Sequence, residues 1–187
     1  MTLTATTTVL RVYDETDASN VLLDTTQGDA IASELAGIGV RFERWAADAD
    51  IPVGADQETV IAAYARYVDE LKRECGYRSV DVIRLERGTP DTEPMRRKFL
   101  SEHQHSEDEV RFFVEGAGAF YLRVNGKVYQ AICVRGDLIG VPAGTKHWFD
   151  MGPNPEFTAI RLFTETEGWV AQFTGDTIAD RFPKLDA

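Results

Sequence analysis

Residues 109–126 read EVRFFVEGAGAFYLRVNG. Branched and aromatic side chains fill Glu109–Glu115 and again Ala119–Val124, a composition that suits extended chain on a buried sheet. Gly116-Ala117-Gly118 interrupts them and is expected to turn the chain. Asn125-Gly126 is a two-residue hairpin signal, because a type I′ turn needs positive φ at both central positions. Working outward, Lys127–Val134 returns, Arg135-Gly136-Asp137 turns, and Leu138–Val141 runs into Pro142-Ala143-Gly144. His147–Met151 follows, and Gly152-Pro153-Asn154-Pro155 leads to Phe157–Phe163. About six short antiparallel strands in roughly 60 residues predict a barrel or sandwich.

Upstream the periods are mixed. Thr7–Val12, Val40–Trp45 and Ser79–Glu86 read as strands. Asp29–Gly37 is expected to be a helix with Ile31 and Leu35 on one face. Val60, Ile61, Tyr64, Val68 and Leu71 recur at helical spacing, with Asp56 as N-cap and Gly76 as the stop, predicting a helix laid on a sheet face. Pro90 and Pro94 bracket a turn into a short helix over Glu93–Leu100. The expectation is a mainly β fold with flanking helices, one domain over 1–187, its barrel core at about 79–165 and its helices mainly at 29–76.

The chain has 187 residues, with 20 Lys plus Arg against 31 Asp plus Glu, so its formal charge is 20 − 31 = −11. That balance argues against a nucleic-acid or anionic-membrane partner. No apolar run approaches the roughly 20 residues that span a bilayer. The opening MTLTATTTVLRVYDETD has no basic segment before an apolar core, so no signal peptide is expected. Cys75 and Cys133 have no paired spacing, which fits a reducing cytoplasm and gives no thiolate metal site. No glycine-rich phosphate loop is present, so no nucleotide is implied.

Histidine carries the chemistry. There are three, His103, His105 and His147, inside one 45-residue window. In extended chain, alternate side chains share a face, so His103, His105 and Glu109 point the same way. Two hairpins then return the chain to His147. Imidazole and carboxylate together suit divalent iron, nickel, manganese or cobalt. Four such ligands on an octahedral ion leave two adjacent positions for a bidentate substrate. A single histidine is commonly neutral, but the convergence of all three on one glutamate at matching parity outweighs that reading. Arg111 follows Glu109 by two and faces the same interior. A buried guanidinium needs an anion, either a bound substrate or a structural carboxylate. Glu102 and Asp108 flank the motif as solvated carboxylates or as groups that orient a ligand imidazole. Phe149 shares the parity of His147.

Two stretches carry a resemblance. His103-x-His105-x3-Glu109-x6-Gly116 and Gly136-x5-Pro142-x-Gly144-x2-His147 match the two cupin motifs, although Arg97 and Met151 stand where cupins usually have glycine and asparagine. GVRFERW (39–45), ETVIAAY (58–64), DEVRFFVEGAGAFYL (108–122), HWFDMG (147–152) and EGWVAQFTGD (167–176) look like the acireductone dioxygenase family of methionine salvage. The resemblance spans nearly the whole chain. It implies a cupin-type, jelly-roll-like antiparallel barrel with His103, His105, Glu109 and His147 as ligands of one Fe2+ or Ni2+. It further implies that Arg111 favours the substrate dianion, that Glu102 serves metal incorporation and that Asp108 relays local conformational change. Phe99, Phe149 and Trp169 match aromatics around the family's active site. The implied reaction cleaves acireductone with O2, in a cytoplasmic enzyme expected to be a monomer. Two alternatives remain on the same barrel: a metal-dependent sugar-phosphate isomerase, and a non-catalytic metal- or ligand-binding protein.

Overall fold

The computed structural model describes residues 6–165 and 170–185. In chain order the elements are β1 (Val9–Asp14), β2 (Asp17–Thr25), α1 (Gly28–Ala36), β3 (Arg41–Arg44), α2 (Gln57–Ala63), α3 (Ala65–Cys75), β4 (Ser79–Leu85) and α4 (Thr92–Leu100). Then come β5 (His103–Gln104), β6 (Glu109–Val124), β7 (Lys127–Val134), β8 (Asp137–Val141), β9 (Lys146–Asp150), β10 (Phe157–Phe163), β11 (Gln172–Phe173) and a 3-10 turn at Ile178–Arg181. No helix among the described residues is long and apolar enough to cross a membrane.

The strands form two antiparallel layers that share β6. Its first half pairs with β8 and β10, giving the order β4-β10-β6-β8-β3. Its second half pairs with β7 and β9 in the layer β11-β5-β9-β6-β7-β1-β2. The arrangement is cupin-like, but the hydrogen-bonded sheet does not close on itself.

β6 corrects one expectation. Gly116-Ala117-Gly118 does not end a strand; the chain runs through it extended. Opposite β10, Thr158 pairs with Glu115 and Ala159 with Phe113, so Val114 is an extra residue in a bulge. Gly116 follows at φ 64°, and a Cβ there would lie 1.9 Å from the Glu156 carbonyl oxygen. One extra residue exchanges the two faces of a strand. Glu109, Arg111 and Phe113 therefore face inward before the bulge, and Phe120 and Leu122 after it. The outer residues Val110, Phe112 and Val114 pack instead under the helices with Val60, Tyr64, Val68 and Leu71.

The helix expected from Val60 to Leu71 is two. Asp56 caps α2, its carboxylate accepting from the Thr59 N–H at 2.9 Å, and Gly76 ends α3 at φ 71°. Tyr64, at φ −115° and ψ 20°, breaks the run between them while its ring stays buried. Asn125 and Gly126, at φ 51° and 75°, make the hairpin turn. β2 was not foreseen. It is a sheet edge, mostly exposed, and shows no apolar alternation. Between the layers lies the main core, with Leu10 and Val12 of β1, Phe113 and Phe120 of β6, Ile139 of β8 and Phe149 of β9.

Candidate metal centre and cavity

Each histidine arrives on a different piece of backbone. His103 is on β5, His105 on the loop after it, and His147 on β9, where it pairs with His103 across the ladder. Their ring centroids lie 4.4 to 5.3 Å apart. One ring nitrogen from each falls within 4.8 Å of the others, and all three residues are buried.

Main-chain carbonyls fix the rings. His103 Nδ1 bonds the Ser101 oxygen at 2.8 Å, His105 Nδ1 the Val170 oxygen at 3.1 Å, and His147 Nδ1 the Thr145 oxygen at 2.8 Å. A carbonyl can only accept, so each Nδ1 donates to it, which leaves each Nε2 as the ring nitrogen available to a ligand. Burial, then the neighbouring His103, pushes the His147 pKa down to about 3. Burial lowers His103 as well. Neutral imidazoles with free lone pairs are what a divalent ion requires.

Glu109 stands beside them. Its Oε2 is 3.3 Å from His105 Nε2 and 3.9 Å from His147 Nε2. Burial alone would raise this carboxyl, but the Arg111 guanidinium and the histidines hold it well below the usual range. Arg111 Nη2 donates to Glu109 Oε1 at 2.7 Å. Its guanidinium carbon lies 4.6 Å from the Phe120 ring centre and 4.5 Å from that of Phe149. Its Nε and Nη1 are buried without a hydrogen-bond partner. Unsatisfied buried donors on a charged group are costly, so these two are poised for an acceptor.

The imidazoles and Arg111 line a cavity of about 540 Å3, walled by Val82, Met95, Phe99, Phe120, Phe149 and Val170. The structure thus gathers His103, His105, His147, Arg111, Phe99 and Phe149 at one place, with Glu109 directly behind. Glu102 and Asp108 are not in the lining. The Glu102 carboxylate is buried and accepts from Arg123 Nη1 at 3.2 and 3.4 Å and from Thr174 Oγ1 at 2.7 Å. Asp108 is exposed and accepts from the Ala143 N–H at 2.8 Å, tying the first motif to the second. Trp169 lies outside the described residues. The sequence reading missed Lys98, Arg161 and Phe173, which also line the cavity. Arg161 stands directly opposite Arg111 in the β6–β10 register, a relation that only the folded sheet reveals.

The sequence profile of the ARD/ARD' family matches residues 9–171. The chain belongs to that family. Among curated members, the acireductone dioxygenase of Parvibaculum lavamentivorans is 58% identical over 96% of this chain and 98% of its own length. That of Pseudomonas aeruginosa is 56% identical over 95% and 98%. Among solved structures, acireductone dioxygenase from Bacillus anthracis with a cadmium ion in its active center shares 28% identity and a TM-score of 0.78, covering 90% of this chain and 99% of that one. Family membership does not favour the isomerase or the purely binding protein.

Proposed function

We propose that this chain is a metal-dependent dioxygenase of methionine salvage that cleaves acireductone with O2. The observation that carries the reading is Arg111, a buried guanidinium with two unpaired N–H groups in a cavity floored by three carbonyl-oriented imidazoles. His103, His105, Glu109 and His147 would hold one Fe2+ or Ni2+. Three imidazoles and one carboxylate are a donor set that fits either ion. When bound, the ion supplies Lewis acidity and a template for two substrate oxygens.

The chain's own residues do the rest. Arg111 Nε and Nη1 stabilise the negative charge of the bound enediolate. Phe99, Phe120 and Phe149 exclude water from the oxygen chemistry, and the apolar wall receives the methylthio tail. β6 contributes both to the site and to the core between the layers, which supports one domain over 1–187.

The test is reconstitution. Apo-protein reloaded with ferrous iron is expected to consume O2 and release 4-methylthio-2-oxobutanoate and formate. Reloaded with nickel, it is expected to release 3-methylthiopropanoate, formate and carbon monoxide. One identical product set from both forms would remove metal-controlled regiochemistry. Metal binding without oxygen uptake on acireductone, or turnover of a sugar phosphate instead, would replace the reading.

A further inference from the structure

Among the described residues, the charged side chains of the cavity wall are all cations: Arg84, Lys98, Arg111 and Arg161. In a chain where carboxylates outnumber bases 31 to 20, a run of four cations with no acidic side chain among the described lining residues runs against the overall charge. Three of the four are neutralised locally. Arg84 pairs with Glu115 at 2.8 Å and Glu86 at 3.1 Å, Arg161 grips Asp81 through two bonds, and Arg111 holds Glu109. Lys98 is the cation of the wall with no ion pair among the described residues, and it is exposed.

Its place is fixed by its neighbours on α4. Arg96 Nε and Nη2 clamp both oxygens of Asp150 on β9 at 2.8 and 3.0 Å. Phe99 packs edge-on against Phe149 of the same strand, with centroids 6.0 Å apart. The turn bearing Lys98 is thereby bound to the strand that carries His147, and Lys98 is an exposed residue of the cavity wall.

We propose that Lys98 is the residue that recruits the substrate as an anion. This rests on the enediol reading of the site. An enediol conjugated to a ketone is a vinylogous acid and is anionic at neutral pH. A chain of net charge −11 repels such a molecule at a distance, so a local unpaired cation must reverse the sign of the field at the mouth. Arg111 then meets the anion inside. A basic residue near a helix C-terminus can also simply offset the helix dipole. That role would alter stability and leave substrate affinity untouched.

The experiment compares Lys98→Gln and Lys98→Glu with Lys127→Glu. Lys127 is exposed beside the Asn125-Gly126 turn, outside the cavity lining, and its variant makes the same change in net charge. Taking roughly 7 Å between charges in water, each lost unit should raise KM about threefold, so the Gln variant rises about threefold and the Glu variant about eightfold at low salt. At about 1 M salt, where the screening length is about 3 Å, the gap should close to within about twofold. The loss should sit in KM rather than kcat, and Lys127→Glu should track the wild type. An unchanged KM in Lys98→Glu, an equal rise in Lys127→Glu, or a rise that persists at high salt would overturn the proposal. Wild-type protein that never turns over acireductone would remove the functional reading itself, and this inference with it.

Discussion

Replacing Arg111 by alanine separates two jobs that one side chain performs. The Glu109 carboxylate is 2% exposed and loses its 2.7 Å donor in the variant. Removing one partner of a buried ion pair costs about 3–5 kcal/mol, because the remaining charge has no compensation. For a chain of this size each kcal/mol moves Tm by about 2–4 °C, so the apo variant should melt roughly 6–20 °C lower. In metal-loaded protein the gap should narrow, since the bound cation gives Glu109 another positive neighbour. Turnover should not recover with it. The two free N–H groups can supply a charge-assisted hydrogen bond worth about 1.5–3 kcal/mol, which predicts a loss of about 10- to 150-fold in kcat/KM. Arg111→Lys keeps the charge without the planar fork and should regain stability before it regains rate. Calorimetry of apo and loaded forms, metal analysis and steady-state oxygen uptake read these quantities independently. An unchanged apo Tm would refute the claim that Glu109 depends on the guanidinium. Normal kcat/KM in a fully loaded variant would show that Nε and Nη1 serve no substrate.

His147→Ala should lose most of the bound metal while remaining folded, measured by metal analysis of the purified protein; full retention would take His147 out of the ligand set. The His147 pKa of about 3 has a pH consequence. Because the folded value lies below the unfolded one, its stabilisation is full above about pH 6.5 and drains as pH falls toward 3, at up to about 1.4 kcal/mol per pH unit. Denaturant titration of the apo wild type between pH 6 and 4 should therefore show a steeper decline than His147→Ala, and equal slopes would contradict a buried neutral imidazole. At Gly118 an added Cβ would lie 2.3 Å from the Phe149 ring, so Gly118→Ala should displace that wall, raise KM and cost about 1–3 kcal/mol by thermal melt. Glu102→Gln should weaken the knot of Arg123 and Thr174 and lower Tm; an unchanged melt would make the burial of that carboxylate incidental.

The strongest local signals were read correctly because each has one physical solution. Asn125-Gly126 could only be a tight hairpin, and the three histidine rings do converge, although His105 lies on the loop after β5 and not within a strand. The one-residue bulge was hidden because glycine serves equally to reverse a chain and to kink it. Only the backbone of Glu156 and the β10 register decide between the two. β2 was hidden because an edge strand paired on one side has little core to face. β5 and β11, two residues each, are too short to show any period. Glu102 looked like surface charge. Its partner Arg123 is 21 residues away in sequence, and no local pattern announces such a burial.

The hold of Ser101, Thr145 and Val170 on the three rings bears on how this site withstands mutation. All three contribute a main-chain oxygen, which every amino acid possesses. Substitution at these positions leaves the supporting atom in place, so the imidazoles stay aimed through considerable drift in the neighbouring side chains. Insertion or deletion of one residue between a histidine and its carbonyl is another matter. It would move the oxygen along the chain and swing the ring away. The vulnerability of this centre thus lies in the spacing of its segments more than in their spelling.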